Sequence, residues 1–188
     1  EFLKMHSEGI IALSACMQGE IPRRILDNES EEKVDEIVNE YVDIFGKDNF
    51  YIEVQANGVK GQTALNEKLY NLAQKHQLKM VATNDTHYVN EGEHTLQDIL
   101  ICVQTGAKVA DEKRMRIETD ELFLKSREQI IDGLGAKYLE AVNNTIEIAE
   151  RCNVNIEFGK FKFPEYEIPS CVKTIEEFLR KLVYFGLS

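Results

Sequence analysis

The sequence predicts an α/β fold with parallel strands and crossover helices, followed by a mainly helical C-terminal segment. Two observations carry this prediction. Short apolar runs at 9–13, 50–54 and 78–83 are separated by longer stretches of helical periodicity. Repeated strand–helix–strand order then calls for parallel pairing, because a parallel pair needs a long crossover where a hairpin needs only a tight turn.

The elements follow in order. Gly9-Ile10-Ile11-Ala12-Leu13 is a continuous apolar run, the pattern of a strand buried on both faces. Ser30, with Glu31 and Glu32 after it, opens a helix through Phe45. Its apolar positions Val34, Ile37, Val38, Tyr41, Val42 and Phe45 recur at helical spacing, and Gly46 is the expected C-cap. Phe50-Tyr51-Ile52-Glu53-Val54 is the second strand. Gln62–Lys75 is an amphipathic helix with Leu65, Leu69, Leu72 and Ala73 on one side. Leu78–Thr83 is the third strand, and Glu91–Gln104 the next helix.

Beyond this point the pattern changes. Arg114–Lys125 reads as a loop with a short extended piece, and Ser126–Leu134 and Tyr138–Cys152 as helices. Phe158–Ser170 holds Pro164 and Pro169 and reads as a linker or surface-crossing segment. Thr174–Phe185 begins another helix. There is no internal repeat and no low-complexity tract.

Composition bounds the function. A chain of 188 residues is one ordinary domain or a large piece of a bigger one, and 43% hydrophobic content supports a substantial core. Twenty-two basic residues against thirty-three acidic ones leave a net charge of −11. An acidic surface argues against a non-specific nucleic-acid clamp, which needs a basic face. A small cationic pocket or a metal-neutralised phosphate site stays open. No apolar run is long enough to span a bilayer, and no signal peptide is visible.

Cys16, Cys102, Cys152 and Cys171 form no C-x-x-C pair. They read as reduced cytosolic thiols, with Cys102 and Cys152 as buried small hydrophobes.

The residues that carry chemistry sit at strand ends. Asn84-Asp85-Thr86-His87 places a carboxylate and an imidazole two residues apart, where the third strand runs out. Were the extended geometry to continue to His87, both would share a face and could reach one metal ion. Asn-Asp is equally a turn signal. Cys16 follows the first strand and Glu53 lies late in the second. In parallel α/β folds the loops at the carboxyl ends of strands converge, so a thiol, a carboxylate and an imidazole could meet there. The simpler account of Cys16 is a small buried residue at a tight turn before Gly19. For Glu53 it is a strand carboxylate satisfied by a backbone N–H or an arginine, with at most a supporting role beside a metal ligand. His94, in the first turn of the next helix, could support the same site. His76, late on its helix, reads as solvated, and His6 as a helix-end residue.

The segments Gly9–Cys16, Phe50–Val54 and Val81–Tyr88 occur in an order and spacing that resemble the C-terminal half of the polymerase-and-histidinol-phosphatase (PHP) domain. They look most like the version found in alpha subunits of bacterial DNA polymerase III without an embedded exonuclease domain. Leu100–Gly106, Phe123–Ser126, Asn144–Cys152, Phe163-Pro164-Glu165-Tyr166 and Glu176–Leu179 extend the resemblance along nearly the whole chain.

The resemblance implies a partial (β/α)7 PHP barrel over 1–160, and a linker and first helix leading into a polymerase core over 161–188. It maps the family's metal-binding cysteine onto Cys16 and its final Asp-x-His onto Asp85 and His87. The remaining ligands would come from an N-terminal half of the barrel. The implied ion is Zn2+, or Mn2+, in the intact domain, and this segment alone would bind it weakly or not at all. The implied activity is nucleotidyl transfer by a parent DNA-directed DNA polymerase, with a metal-dependent phosphoesterase-like PHP domain that could act in 3′–5′ proofreading. The segment alone would be inactive. The implied partners are DNA and replisome subunits (sliding clamp, proofreading or clamp-loader subunits), and the implied location is cytoplasmic, with no membrane. Two alternatives stand beside this: a purely structural or partner-binding PHP segment, and a stand-alone PHP-superfamily phosphatase.

Overall fold

The computed structural model describes residues 1–164 and 166–187; Glu165, within the Phe163–Tyr166 segment, and Ser188 lie outside the described residues. The chain divides into two compact units, Glu1–Cys152 and Asn153–Ser188.

In the first unit, β1 (Ala12–Leu13), β2 (Phe50–Gln55) and β3 (Met80–Thr83) form a parallel sheet in the order β1-β2-β3. The register sets Ala12 beside Phe50 and Ile52 beside Met80. All six residues of β2 are buried, because the strand is central in the sheet and covered on both faces. β1 is shorter than its apolar run predicts. Gly9 has φ +75°, Ile10 is exposed, and Leu13 lies toward solvent, so the expected burial on both faces does not hold. The physical reason is position: among the described residues β1 pairs with β2 on one side only.

The crossovers are helical. The first comprises α2 (Glu20–Leu26) and α3 (Glu31–Phe45), and the second is α4 (Gln62–His76). α1 (Phe2–Met5) and α2 were not expected. α2 has only seven residues, too few for a periodic signal, and Pro22 stands in its first turn, where a missing N–H is tolerated. Ser30 caps α3 by accepting the Lys33 N–H, and Gly46 ends it with φ +83°. The buried side of α4 carries Leu65, Leu69, Leu72 and Ala73 as its spacing predicts. Together with Val34, Val38, Phe50, Ile52 and Val54 they form the core.

After β3 come α5 (His94–Thr105), α6 (Arg127–Leu134), a short 3-10 turn (Ala136–Tyr138) and α7 (Leu139–Arg151). Ser126 and Gln129 close a capping box on α6. α7 packs on β3, where the Asn144 side chain donates to the Met80 carbonyl at 2.7 Å. In the second unit, α8 (Ile175–Gly186) begins at Thr174, whose hydroxyl accepts the Glu177 N–H. Among the described residues, no helix is long and apolar enough to cross a membrane.

Two side chains differ from expectation. Cys152 is exposed, because α7 ends just before it, whereas Cys102 is buried. His76 is not solvated: its side chain is 14% exposed and its Nε2 lies 2.7 Å from Asp35 Oδ1 across from α3. Lys75 Nζ reaches the other Asp35 oxygen at 2.6 Å. Burial pushes the Asp35 carboxyl up, but the bonds from Lys75 and His76 outweigh it and hold the group below its ordinary value. A carboxyl depressed in the folded state stabilises fully above its unfolded pKa and loses that contribution as pH falls through the folded one. Urea titrations between pH 5 and 3 should therefore show a shallower loss of stability in Asp35→Asn than in the wild type. Parallel curves would show that Asp35 does not link α3 to α4 in solution.

Candidate metal-binding edge of the sheet

The strands run parallel, so their carboxyl ends lie on one edge of the sheet. After β1, Ser14 is buried, and its hydroxyl accepts the Glu53 N–H at 2.8 Å. The chain then turns tightly: Ala15 has φ +65°, and the Gly19 N–H donates to the Cys16 carbonyl at 2.8 Å. A Cβ on Gly19 would stand 2.3 Å from the Ser14 carbonyl oxygen, so this turn requires glycine. Cys16 is held half-buried at its bend.

Glu53, 8% exposed, points a carboxylate oxygen at Gln55 Nε2 (3.0 Å) and the Thr83 hydroxyl (2.5 Å). Both donate to it. Its partners are therefore polar side chains of β2 and β3, in place of the backbone N–H or arginine that its strand position suggested. Asn57 continues the row by donating to Gln55 Oε1 at 2.8 Å.

β3 ends at Thr83, and the chain does not stay extended to His87. Asp85 adopts φ +52°, so the alternation that would put Asp85 and His87 on one face is lost. A different contact joins them. His87 Nδ1 lies 2.6 Å from the Asp85 carbonyl oxygen, an acceptor, so Nδ1 is the donor of this bond and Nε2 is the nitrogen left for another partner. Both side chains are exposed. The loop is anchored against residues 121–124. Asn84 Nδ2 donates to the carbonyls of Glu121 and Phe123, each at 2.8 Å, and the His87 N–H donates to Leu122 at 2.8 Å. The Leu122 N–H donates to the Tyr88 hydroxyl at 3.2 Å. Tyr88 pairs with Phe123 as an isolated parallel bridge, which is the short extended piece expected within Arg114–Lys125. Burial, opposed by the Leu122 N–H bond and helped by the nearby Asp120 and Glu121 charges, raises the Tyr88 phenol, so it stays a neutral hydroxyl.

His94 is exposed at the first position of α5 and lines a cavity of about 370 Å³ with Tyr88, Asp98 and Arg116. That cavity includes neither Cys16, Asp85 nor His87.

The structure thus brings the Asp85 backbone and His87 together and sets Cys16 on the same edge. β1 and β3 are second neighbours, about 10 Å apart. Among the described residues, no three His, Cys, Asp or Glu side chains gather closely enough to hold an ion by themselves. The donor chemistry nevertheless fits a zinc-class metal: a thiol, a carboxylate, and an imidazole whose other nitrogen is fixed by a carbonyl. Asn84 Oδ1, buried and meeting no donor among the described residues, is an open acceptor beside Asp85. A closed zinc shell needs four ligands, so the set calls for more donors than these.

Comparison with known proteins agrees with this architecture. Residues 1–57, which include Cys16 and Glu53, match the PHP domain family. Beyond that match, the chain is similar from end to end to DNA polymerase III subunit alpha. It is 41% identical to that of Borreliella burgdorferi over 98% of this chain, 38% to that of Treponema pallidum over 100%, and 35% to that of Thermus aquaticus over 100%. In each case it spans 16% of the relative's length. The chain is thus homologous to a segment of these alpha subunits, and its first 57 residues match the PHP domain family. Its three-stranded parallel sheet with helical crossovers, followed by a helical segment, is consistent with a partial α/β PHP barrel.

Proposed function

We propose that this chain is part of a replicative DNA-directed DNA polymerase, within which it contributes one side of a metal-dependent phosphoesterase-like PHP site. The observation that carries the reading is that Cys16 and the Asp85–His87 pair follow strands whose carboxyl ends share one edge of a parallel sheet, in a chain similar throughout to polymerase alpha subunits. Cys16 as thiolate, the Asp85 carboxylate and His87 Nε2 would hold a Zn2+ or Mn2+ ion, with further ligands from elsewhere in the parent protein. A bound ion would supply an activated water and stabilise charge on phosphate oxygens, the chemistry of a 3′–5′ exonuclease. The residues present do the positioning: the Asp85 carbonyl orients the His87 ring, and the Ser14–Gly19 turn presents the thiol. Glu53 would support the site through Thr83, whereas His94, named beside it from the sequence, lines a separate cavity. DNA and other replisome subunits, such as the sliding clamp, proofreading or clamp-loader subunits, would be the partners, in the cytoplasm. End-to-end similarity to polymerase subunits favours this over a stand-alone phosphatase.

A second reading is a PHP segment that is purely structural, organising the polymerase core or a partner subunit. It draws support from the lack of a gathered ligand cluster among the described residues. Metal analysis and an exonuclease assay on the full-length protein separate the two. The catalytic reading expects bound zinc or manganese in the wild type, with loss of metal and of nuclease activity in Cys16→Ala and Asp85→Asn. A metal-free wild type with intact polymerisation would establish the structural reading instead.

A further inference from the structure

We propose that Asn84 is a positioning residue that sets the geometry of the Asp85–His87 pair, an inference that rests on the metal reading above. Asn84 is 6% exposed and is the first residue beyond β3. Its amide uses both N–H bonds on one target, the carbonyls of Glu121 and Phe123 at 2.8 Å each. Those carbonyls flank Leu122, whose own carbonyl accepts the His87 N–H. The three acceptors therefore belong to one strap, gripped by the two residues that bracket Asp85 and Thr86. Leu124 closes the clamp by donating to the Tyr88 carbonyl at 3.1 Å. Within the clamp Asp85 keeps φ +52°, a conformation that L-residues rarely hold unless the surroundings impose it. That same conformation brings the Asp85 carbonyl to His87 Nδ1 and so aims Nε2 outward. Loss of the Asn84 grip would free the strap and, with it, the torsion that orients the imidazole.

A carboxylate at this position keeps the shape and the unpartnered oxygen but removes both donors. Asn84→Asp in the full-length protein therefore removes the grip and adds a buried negative charge, which the control variant adds as well. Asn144→Asp is the control. Asn144 is also buried and donates to a carbonyl of β3, at Met80 near the opposite end of the strand. Two readouts apply: cobalt(II) titration with its d–d spectrum, and hydrogen exchange of a peptide covering 85–89.

Asn84→Asp should weaken cobalt binding about 10- to 100-fold, the range for partners that orient a ligand. It should also shift the d–d bands and speed exchange in 85–89. Asn144→Asp should lower stability without moving the bands. Should Asn84→Asp fail to fold, Tyr88→Phe replaces it. That variant removes the acceptor of the Leu122 N–H from the same strap and should act in the same direction to a smaller extent.

A wild type that loads cobalt, beside variants of Asn84 and Tyr88 with unchanged affinity and spectrum, overturns the inference alone. Equal effects of the Asn84 and Asn144 variants overturn it as well, since they would reflect stability. A wild type that takes up no cobalt overturns the metal reading and this inference with it.

Discussion

Replacing Phe50 with alanine is expected to destabilise the Glu1–Cys152 unit by about 3–5 kcal/mol, the range for deleting a buried aromatic ring. Phe50 is fully buried at the start of the central strand. Its ring stacks on Tyr41 of α3 with centroids 5.1 Å apart and planes 10° from parallel. Tyr41 stacks in turn on Phe45, and its hydroxyl donates to Glu20 of α2 at 3.0 Å. The ring therefore joins the sheet to both helices of the first crossover. Neighbours cannot easily close the cavity, because Phe50 is flanked by backbone pairing to β1 and followed by pairing to β3. Urea denaturation followed by far-UV circular dichroism measures the loss. A change below about 1 kcal/mol, too small for a filled core site, would mean that the stacked arrangement is not kept in solution.

What could be read from the sequence follows from how local each signal is. The long helices α3 and α4 were visible because fifteen residues give several turns of apolar spacing, and their ends carry Ser30, Gly46 and Gln62 where caps and starts belong. β2 is visible because its burial on both faces leaves a run of β-branched and aromatic residues broken only by Glu53, before Gln55. β1 was overextended by the same logic. Gly9 to Leu13 has the composition of a buried strand, but its place at the sheet edge is a tertiary fact with no local trace. His76 shows the same limit, since its partner Asp35 lies forty-one residues away.

The candidate site divides along the same line. Asn-Asp-x-His at a strand end marked the position of Asp85 and His87, and the tight turn before Gly19 marked that of Cys16. Of the two conformations open at Asp85, extension and turn, the structure has the turn, and what holds it lies thirty-seven to thirty-nine residues beyond Asn84, in the carbonyls that Asn84 grips. Nothing in Glu121-Leu122-Phe123 announces that role, because backbone acceptors have no sequence signature. The partners of Glu53 were also hidden, although Gln55 two residues along the same strand shares its face and could have been suggested by that spacing.

Glu53 supports the second large prediction. Glu53→Ala should cost about 2–4 kcal/mol, because it strands buried donors that fold around the carboxylate. The Thr83 hydroxyl loses its 2.5 Å acceptor, and Gln55 loses its 3.0 Å one. Part of the loss is recovered, since Gln55 Nε2 already lies 3.3 Å from Thr83 Oγ1 and can keep that bond. Glu53→Gln keeps the one oxygen that accepts from both donors and should cost about 1 kcal/mol or less. The two variants also separate a supporting role from a purely structural one. Thr83 leads directly into Asn84 and Asp85, so a side chain that steadies the site through Thr83 should lower metal content in Glu53→Ala and largely keep it in Glu53→Gln. If Glu53→Ala lowers the urea midpoint while the full-length protein keeps its metal, the carboxylate serves the packing of β2 against β3 and not the ion.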